Sequence, residues 1–271
     1  MQEIASGLWD FERRWTPGEI AWSVLTEPDG HSVEFADDGF VWVQDDVAVI
    51  VLPRGAGQDC ALDRCAAHAV QATATDDELI DALRARGYHD DKTAPFDLTV
   101  RLAIDDASAP IVEGYDLRSA RDDDDLVAVH RASWKPADLP FAPGHTPDFD
   151  GGSSSFSAAH LDAVRRSPLY NAKLHVVAEA ADGALAGSCI GWLDDSSGVA
   201  VIEPLGVVVA HRRRGVAGGL CLEVARLVAE CGASEVLIHP RGDDAYPAAR
   251  GAYGRAGFQA VGRSAVFRPP G

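Results

Sequence analysis

The stretch from Val201 to Ala233, "VIEPLGVVVAHRRRGVAGGLCLEVARLVAECGA", constrains this chain more than any other. It opens as an aliphatic strand interrupted by Pro204, and a proline that cannot donate to the ladder marks a bulge where a sheet opens. It closes as a helix, because Val216, Leu220, Val224, Leu227 and Val228 recur near one face. Between strand and helix stand Arg212, Arg213 and Arg214, then Gly215, Ala217 and Gly218. Small residues at the positive end of a helix dipole leave backbone N–H groups open to a phosphate or pyrophosphate, and arginines add charge-assisted bonds. A glycine-rich turn alone could equally serve tight helix packing beside solvated arginines. The turn lacks the Gly-Lys-Ser/Thr of a P-loop and the GxGxxG of a dinucleotide site. Its specific element is Arg212-x-x-Gly215-x-Ala217.

The cationic turn sits in a chain of 271 residues with a formal net charge of −18. Such acidity argues against a nucleic-acid surface and would suit a cationic co-substrate, although composition bias produces the same figure. No apolar run approaches the roughly 20 residues of a membrane span, so no membrane partner is expected. The opening "MQEIASGLWDFERRW" lacks an apolar signal core, which points to a cytoplasmic protein. The five cysteines form no CxxC pair and no metal-ligand spacing with histidine, so free thiols and no metal are expected.

The length suits two packed units. In the first, residues 31–53 read as an antiparallel meander, "TDDELIDALRARGY" as a helix with a capping signal at Thr75 and an end at Gly87, and "FDLTVRLAID" as a closing strand. Residues 105–114 read as a linker. The second unit begins with strand "YDLRS" and a helix behind the aspartates at 122–125. A long loop over 135–156, the helix "SAAHLDAVRRSPLY" and a meander of about three strands lead into the Val201–Ala233 stretch.

With "YPAARGAYGRAGF" at 246–258 downstream, the chain resembles the GNAT superfamily of acyl-CoA-dependent N-acyltransferases. That family carries a Gln/Arg-x-x-Gly-x-Gly/Ala pyrophosphate loop between a bulged strand and a helix, followed by a motif of the form "NPAARALY..xGF". The asparagine that often opens the second motif is Tyr246 here. The resemblance covers residues of about 115 to 271. It implies an α/β (α+β) fold with a mixed, mostly antiparallel sheet flanked by helices, and acetyl-CoA as co-substrate. It also implies that Val207, Val208 and Val209 lie along the pantetheine arm, with a strand N–H polarising the thioester carbonyl. The amides from Arg213 through Val216 and Ala217 to Gly218 would cradle the pyrophosphate beside Arg212, Tyr246 would border the CoA arm, and Tyr253 would protonate the departing thiolate.

The first half echoes the second. "PRGAGQD" places Arg54-x-x-Gly57-x-Asp59 after a valine-rich strand, and "LRARGYHDD" mirrors "YGRAGFQAV". Asp59 stands where the second copy has Ala217, and Leu83 where it has Tyr253, so an anion would face the phosphate and no proton donor would follow. The expected architecture is two tandem GNAT-like domains, residues 1–108 degenerate and 113–271 catalytic.

Attack on a thioester needs a neutral amine, and Glu203, on the strand that would deliver the thioester, is the first candidate base, with His130 and His175 behind it. Trp134, Phe141, His145, Phe149 and Tyr170 could form an aromatic wall, and Asp138, Asp148 and Asp150 could receive a cationic amine. The expectation is a monomeric or homodimeric N-acetyltransferase of small-molecule primary amines. A silent acyl-CoA-binding module and a protein lysine acetyltransferase stand as alternatives.

Overall fold

The structure, a computed structural model, describes residues 16–26, 31–36, 39–44, 46–52, 59–104, 108–145 and 154–271. Helix α1 (Pro17–Thr26) precedes strands β1 (His31–Ala36), β2 (Gly39–Gln44) and β3 (Val47–Val51). Helix α2 (Asp59–Arg64), β4 (Ala69–Thr73), α3 (Asp77–Ala85), β5 (His89–Asp90) and β6 (Leu98–Ala103) complete the first half. The second half runs β7 (Tyr115–Ser119), α4 (Leu126–Ser133), α5 (Ala158–Arg165), β8 (His175–Ala180), β9 (Leu185–Asp194) and β10 (Val199–Val207). It ends with α6 (Val216–Glu230), β11 (Glu235–Ile238), α7 (Pro247–Arg255) and β12 (Gln259–Arg268). The order β1-β2-β3-α2-β4-α3 thus repeats as β8-β9-β10-α6-β11-α7, in line with the tandem reading.

Local chemistry explains most boundaries. Asp125 accepts from the Ala128 N–H at 2.9 Å and Ser157 from the His160 N–H at 3.4 Å, capping α4 and α5. Helix α3 is capped by Asp76, which accepts from Leu79 at 3.1 Å, rather than by Thr75. Both α3 and α7 end in a left-handed glycine, Gly87 at φ +84° and Gly257 at φ +98°. In both, the next aromatic, Tyr88 or Phe258, donates its N–H at 3.1 Å to the carbonyl of the residue five back, Leu83 or Tyr253.

The strands join in one twelve-stranded sheet in which each half receives a strand from the other. Strand β6 forms as expected but pairs with β11 on one side and with residues 259–263 of β12 on the other. Conversely, Ser264–Phe267 of β12 pair with β4, and Phe267 and Arg268 pair with β5. The exchange is reciprocal, so neither sheet half is complete without the other.

Helix α1 strengthens this union. Ala21 packs with Val164, Trp192, Val201 and Leu237 of the second half, whereas Ile20 packs with Phe40, Trp42 and Val51 of the first. A Cβ on Gly18 would lie 2.3 Å from Trp192 Cβ, so this close approach requires glycine. On the opposite face of the second sheet, α6 buries Val216, Leu220, Cys221, Val224 and Val228 against Val176, Ile202 and Val236. No helix among the described residues is long and apolar enough to cross a membrane.

Candidate active site

The site grows from the bulge in β10. Its register with β9 shifts between Ile202 and Leu205, which places Glu203 and Pro204 at the irregularity the sequence marks. Strands β10 and β11 pair in parallel at Val199–Val201 with Glu235–Leu237 and then part, opening a wedge. The Val208 N–H donates to Ala186 O on β9 at 2.9 Å. Since N–H groups alternate sides along a strand, that of Val207 points into the wedge, where it can polarise a carbonyl. Strand β10 ends at Val207, and Val209, 51 % exposed, begins a short 3₁₀ turn at 209–211 rather than continuing the strand.

At the head of α6, Gly215 has φ +83° and caps the helix without any side-chain hydrogen bond. A Cβ there would meet nothing nearer than Val112 at 3.9 Å, and one on Gly218 nothing nearer than Ala256 at 3.5 Å. The backbone is therefore open to a ligand at the positive end of a 15-residue helix. Gly219 is different: a Cβ would lie 2.4 Å from Val112, so its small size serves packing. Arg213, in the left-handed region at φ +61°, is exposed together with Arg214, and neither forms an ion pair among the described residues. Arg212 behaves otherwise. Its Nε donates to Val207 O at 2.9 Å, its Nη2 to Ser133 O at 3.0 Å and its Nη1 to Asp138 O. The guanidinium thus ties the segment after α4 to the bulged strand, and its side chain is spent on carbonyls rather than turned to a phosphate.

Tyr253, on α7, is 7 % exposed and packs in the core with Cys221 and Phe258. Burial pushes its phenol well above the usual range, with Cys221, Glu203, Tyr246 and Cys189 adding to the effect. The hydroxyl therefore keeps its proton at neutral pH, as a proton donor must. Tyr246 caps α7 and meets the Phe141 ring edge-on at 4.9 Å, while Ala142 N–H donates to Ala245 O at 2.8 Å. This contact brings the loop after α4 to the motif that holds Tyr253.

The expected aromatic wall divides. Trp134 stacks near His130 at 6.2 Å, His130 lies 4.2 Å from Phe156, and Trp22 of α1 lies 5.5 Å from Phe156. A Cβ on Gly206 would meet Trp134 Nε1 at 2.8 Å, so the indole rests on β10 beside the wedge. The Trp134 N–H is buried and without a partner among the described residues. Tyr170 instead packs, half-buried, on Trp192 at 6.4 Å and bonds the buried His175. His145 is exposed and Asp138 pairs with Lys135 at 3.3 Å; Phe149, Asp148 and Asp150 lie outside the described residues. Burial lowers His130, half-buried between Trp134 and Phe156, to about 4, and His175, buried and bonded to Tyr170, to about 3.

Two residues that the sequence reading passed over do reach the wedge region. Glu19 and His239 are buried together, with His239 Nδ1 2.7 Å from Glu19 Oε1. A signal for the first was available: "TPGE" at 16–19 is a capping-box pattern. His239, in "IHPRG", carries no comparable local mark.

Comparison with known proteins agrees with this geometry. Residues 143–258 match the family model described as Acetyltransferase (GNAT) family. The matched stretch lies in the second half and is similar to a GNAT acetyltransferase domain, which supports an acyltransferase. A GCN5-related N-acetyltransferase from Sphaerobacter thermophilus is 20 % identical, with 95 % of this chain and 88 % of that one covered at a TM-score of 0.56. A GNAT-family acetyltransferase from Colwellia psychrerythraea is 14 % identical, with 92 % and 90 % covered at 0.58. A tandem GNAT protein from the clavulanic acid biosynthesis pathway is 18 % identical, with 98 % and 92 % covered at 0.54. At these identities the likeness is one of fold, and it extends across both halves. No curated protein sequence matches the chain.

Proposed function

We propose that the protein is a cytoplasmic N-acetyltransferase that moves an acetyl group from acetyl-CoA to the primary amine of a small molecule by direct attack. The observation that supports this reading is the parting of β10 from β11 beyond Val201 and Leu237, flanked in the chain by the open helix N-terminus at Gly215, with the buried, protonated phenol of Tyr253 under the influence of Glu203 on the parted strand. Acetyl-CoA would supply an activated thioester. The amides of Arg213 to Gly218 would hold its pyrophosphate, with Arg213 and Arg214 offering charge. Val207 to Val209 and Tyr246 would border its arm. The Val207 N–H would polarise the carbonyl, and Tyr253 would give its proton to the departing sulfur. Residues 113–271 would form the catalytic unit, completed by β6 of 1–108.

The amine would enter on the face bearing Trp134 and Phe141. Thiol release from acetyl-CoA in the presence of tyramine, tryptamine, glucosamine and putrescine tests the reading, with turnover of at least one amine expected. Tight acetyl-CoA binding with no release across a broad amine panel would instead indicate a silent acyl-CoA-binding module. Acetyl-lysine appearing on added proteins while small amines remain unmodified would indicate a protein acetyltransferase.

A further inference from the structure

Glu19, from the first half, and His239, from the second, stand 220 residues apart in the chain and form a buried pair next to the point where β10 and β11 part. Their side chains are 4 % and 1 % exposed. Helix α1 fixes the carboxylate by a reciprocal capping box: Thr16 N–H donates to Glu19 Oε2 at 2.9 Å, and Glu19 N–H donates to Thr16 Oγ1 at 3.2 Å. The other carboxylate oxygen faces His239 Nδ1 at 2.7 Å, with the ring turned off the ideal hydrogen-bond line. Catalytic pairs are often poorly aligned until the reacting group is in place. A carboxylate at this distance favours the proton on Nδ1 and leaves the lone pair on Nε2.

Position gives that lone pair a use. Beyond Leu237, the last residue of β11 that pairs with β10, the next same-face position is His239. Val201 and Leu237 pack against Ala21, Val164 and Trp192, so this is the face of α1 and α5, opposite α6. His239 Nε2 is buried and has no polar partner among the described residues. A buried imidazole nitrogen left unsatisfied where two strands separate is a site that a substrate group or a bridging water completes. The charged group beside it is Glu19 from α1, and Arg241, bonded to Asp243, follows along its own segment; Glu203 lies on β10 beyond the point where the two strands part.

We infer that His239 is the proton acceptor for the amine and that Glu19 is its positioning residue, so that the degenerate first half supplies part of the catalytic apparatus of the second. The inference rests on the acetyltransfer reading. The ammonium gives one proton to His239 Nε2, directly or through one water, and its freed lone pair attacks the thioester carbon. As the C–N bond forms and the C–S bond breaks, Tyr253 protonates the sulfur and regains a proton from solvent. The nitrogen's second proton and the one on His239 leave to solvent, for a net release of one.

The test uses the full chain, acetyl-CoA and the most active amine of the panel above. His239→Gln should lower kcat by about 10²–10³-fold and remove the acidic limb of the pH profile, with acetyl-CoA affinity unchanged by calorimetry. Glu19→Gln should lower kcat less and move that limb to lower pH, because loss of the carboxylate destabilises the imidazolium. A folded His239→Gln enzyme with turnover within threefold of wild type and an unmoved limb would overturn the dyad while leaving acetyltransfer intact. A wild-type protein without turnover on any amine would overturn both. Should His239→Gln fail to fold, ¹⁵N NMR of the wild-type ring decides: protonated Nδ1 with bare Nε2 is expected, and the reverse tautomer would refute the assignment.

Discussion

The two halves of this molecule repeat the same order of elements, and they differ at the places to which the proposed acyl transfer assigns a role. Both pairs of parallel strands separate after a short paired run, β3 from β4 after Ala48 and Val70, and β10 from β11 after Val201 and Leu237. Strand β3 keeps an unbroken register with β2, whereas β10 carries the Glu203–Pro204 irregularity. Helix α2 has six residues where α6 has 15. At the equivalent turn of α3 and α7, Leu83 and Tyr253 are both buried, so the repeat conserves packing there but gives a hydroxyl to one copy alone.

The most instructive difference is at the helix head. Counting along the echo, Asp59 and Arg86 of the first half correspond to Ala217 and Ala256 of the second. Asp59 accepts from Arg86, which also lies 3.8 Å from Asp63, so the first half has an ion pair at positions where the second has two alanines. The shared architecture of the two halves thus rests on strands and caps, while the residues at the helix head differ between them.

This contrast can be broken experimentally, beginning with the largest effect. Gly215→Glu should abolish acetyl-CoA binding, since a side chain at φ +83° is strained and its charge would oppose the pyrophosphate; calorimetry showing normal affinity would refute the phosphate-loop assignment. Tyr253→Phe should lower kcat by about 10²–10³-fold with little change in acetyl-CoA affinity, because the lost proton donor acts in the transition state. Steady-state kinetics that match wild type would remove Tyr253 from the mechanism.

A smaller effect concerns acid. His130 and His175 are held below the usual histidine range, at about 4 and about 3, by burial. A depressed folded-state value means that their contribution is complete above about pH 6.5 and is lost as pH falls through the folded values. Between pH 6.5 and 4, His130 should cost the protein about 1–3 kcal/mol of stability. Urea midpoints measured across that window should fall more steeply for wild type than for His130→Phe, and parallel curves would contradict the assignment. The smallest effect belongs to the first half: Arg86→Ala should leave both turnover and the thermal midpoint essentially unchanged, because an exposed pair contributes little. A large loss of activity there would mean that the silent loop is not silent.

What the sequence by itself determined is local. The strand-turn-helix at Val201–Ala233, the Tyr253 motif, the glycine stops at Gly87 and Gly257 and the repeat itself are all written in spacing, turn residues and periodicity within a few tens of positions. Tertiary structure alone decided that β6 and the end of β12 change places, that Arg212 is occupied by the carbonyls of Val207, Ser133 and Asp138, and that Glu19 meets His239. Apart from the Arg212–Val207 bond, each of these joins residues far apart in the chain. Their partners are selected by strand register and by burial of polar groups against whatever surface the fold brings near, and neither leaves a periodic mark in the sequence.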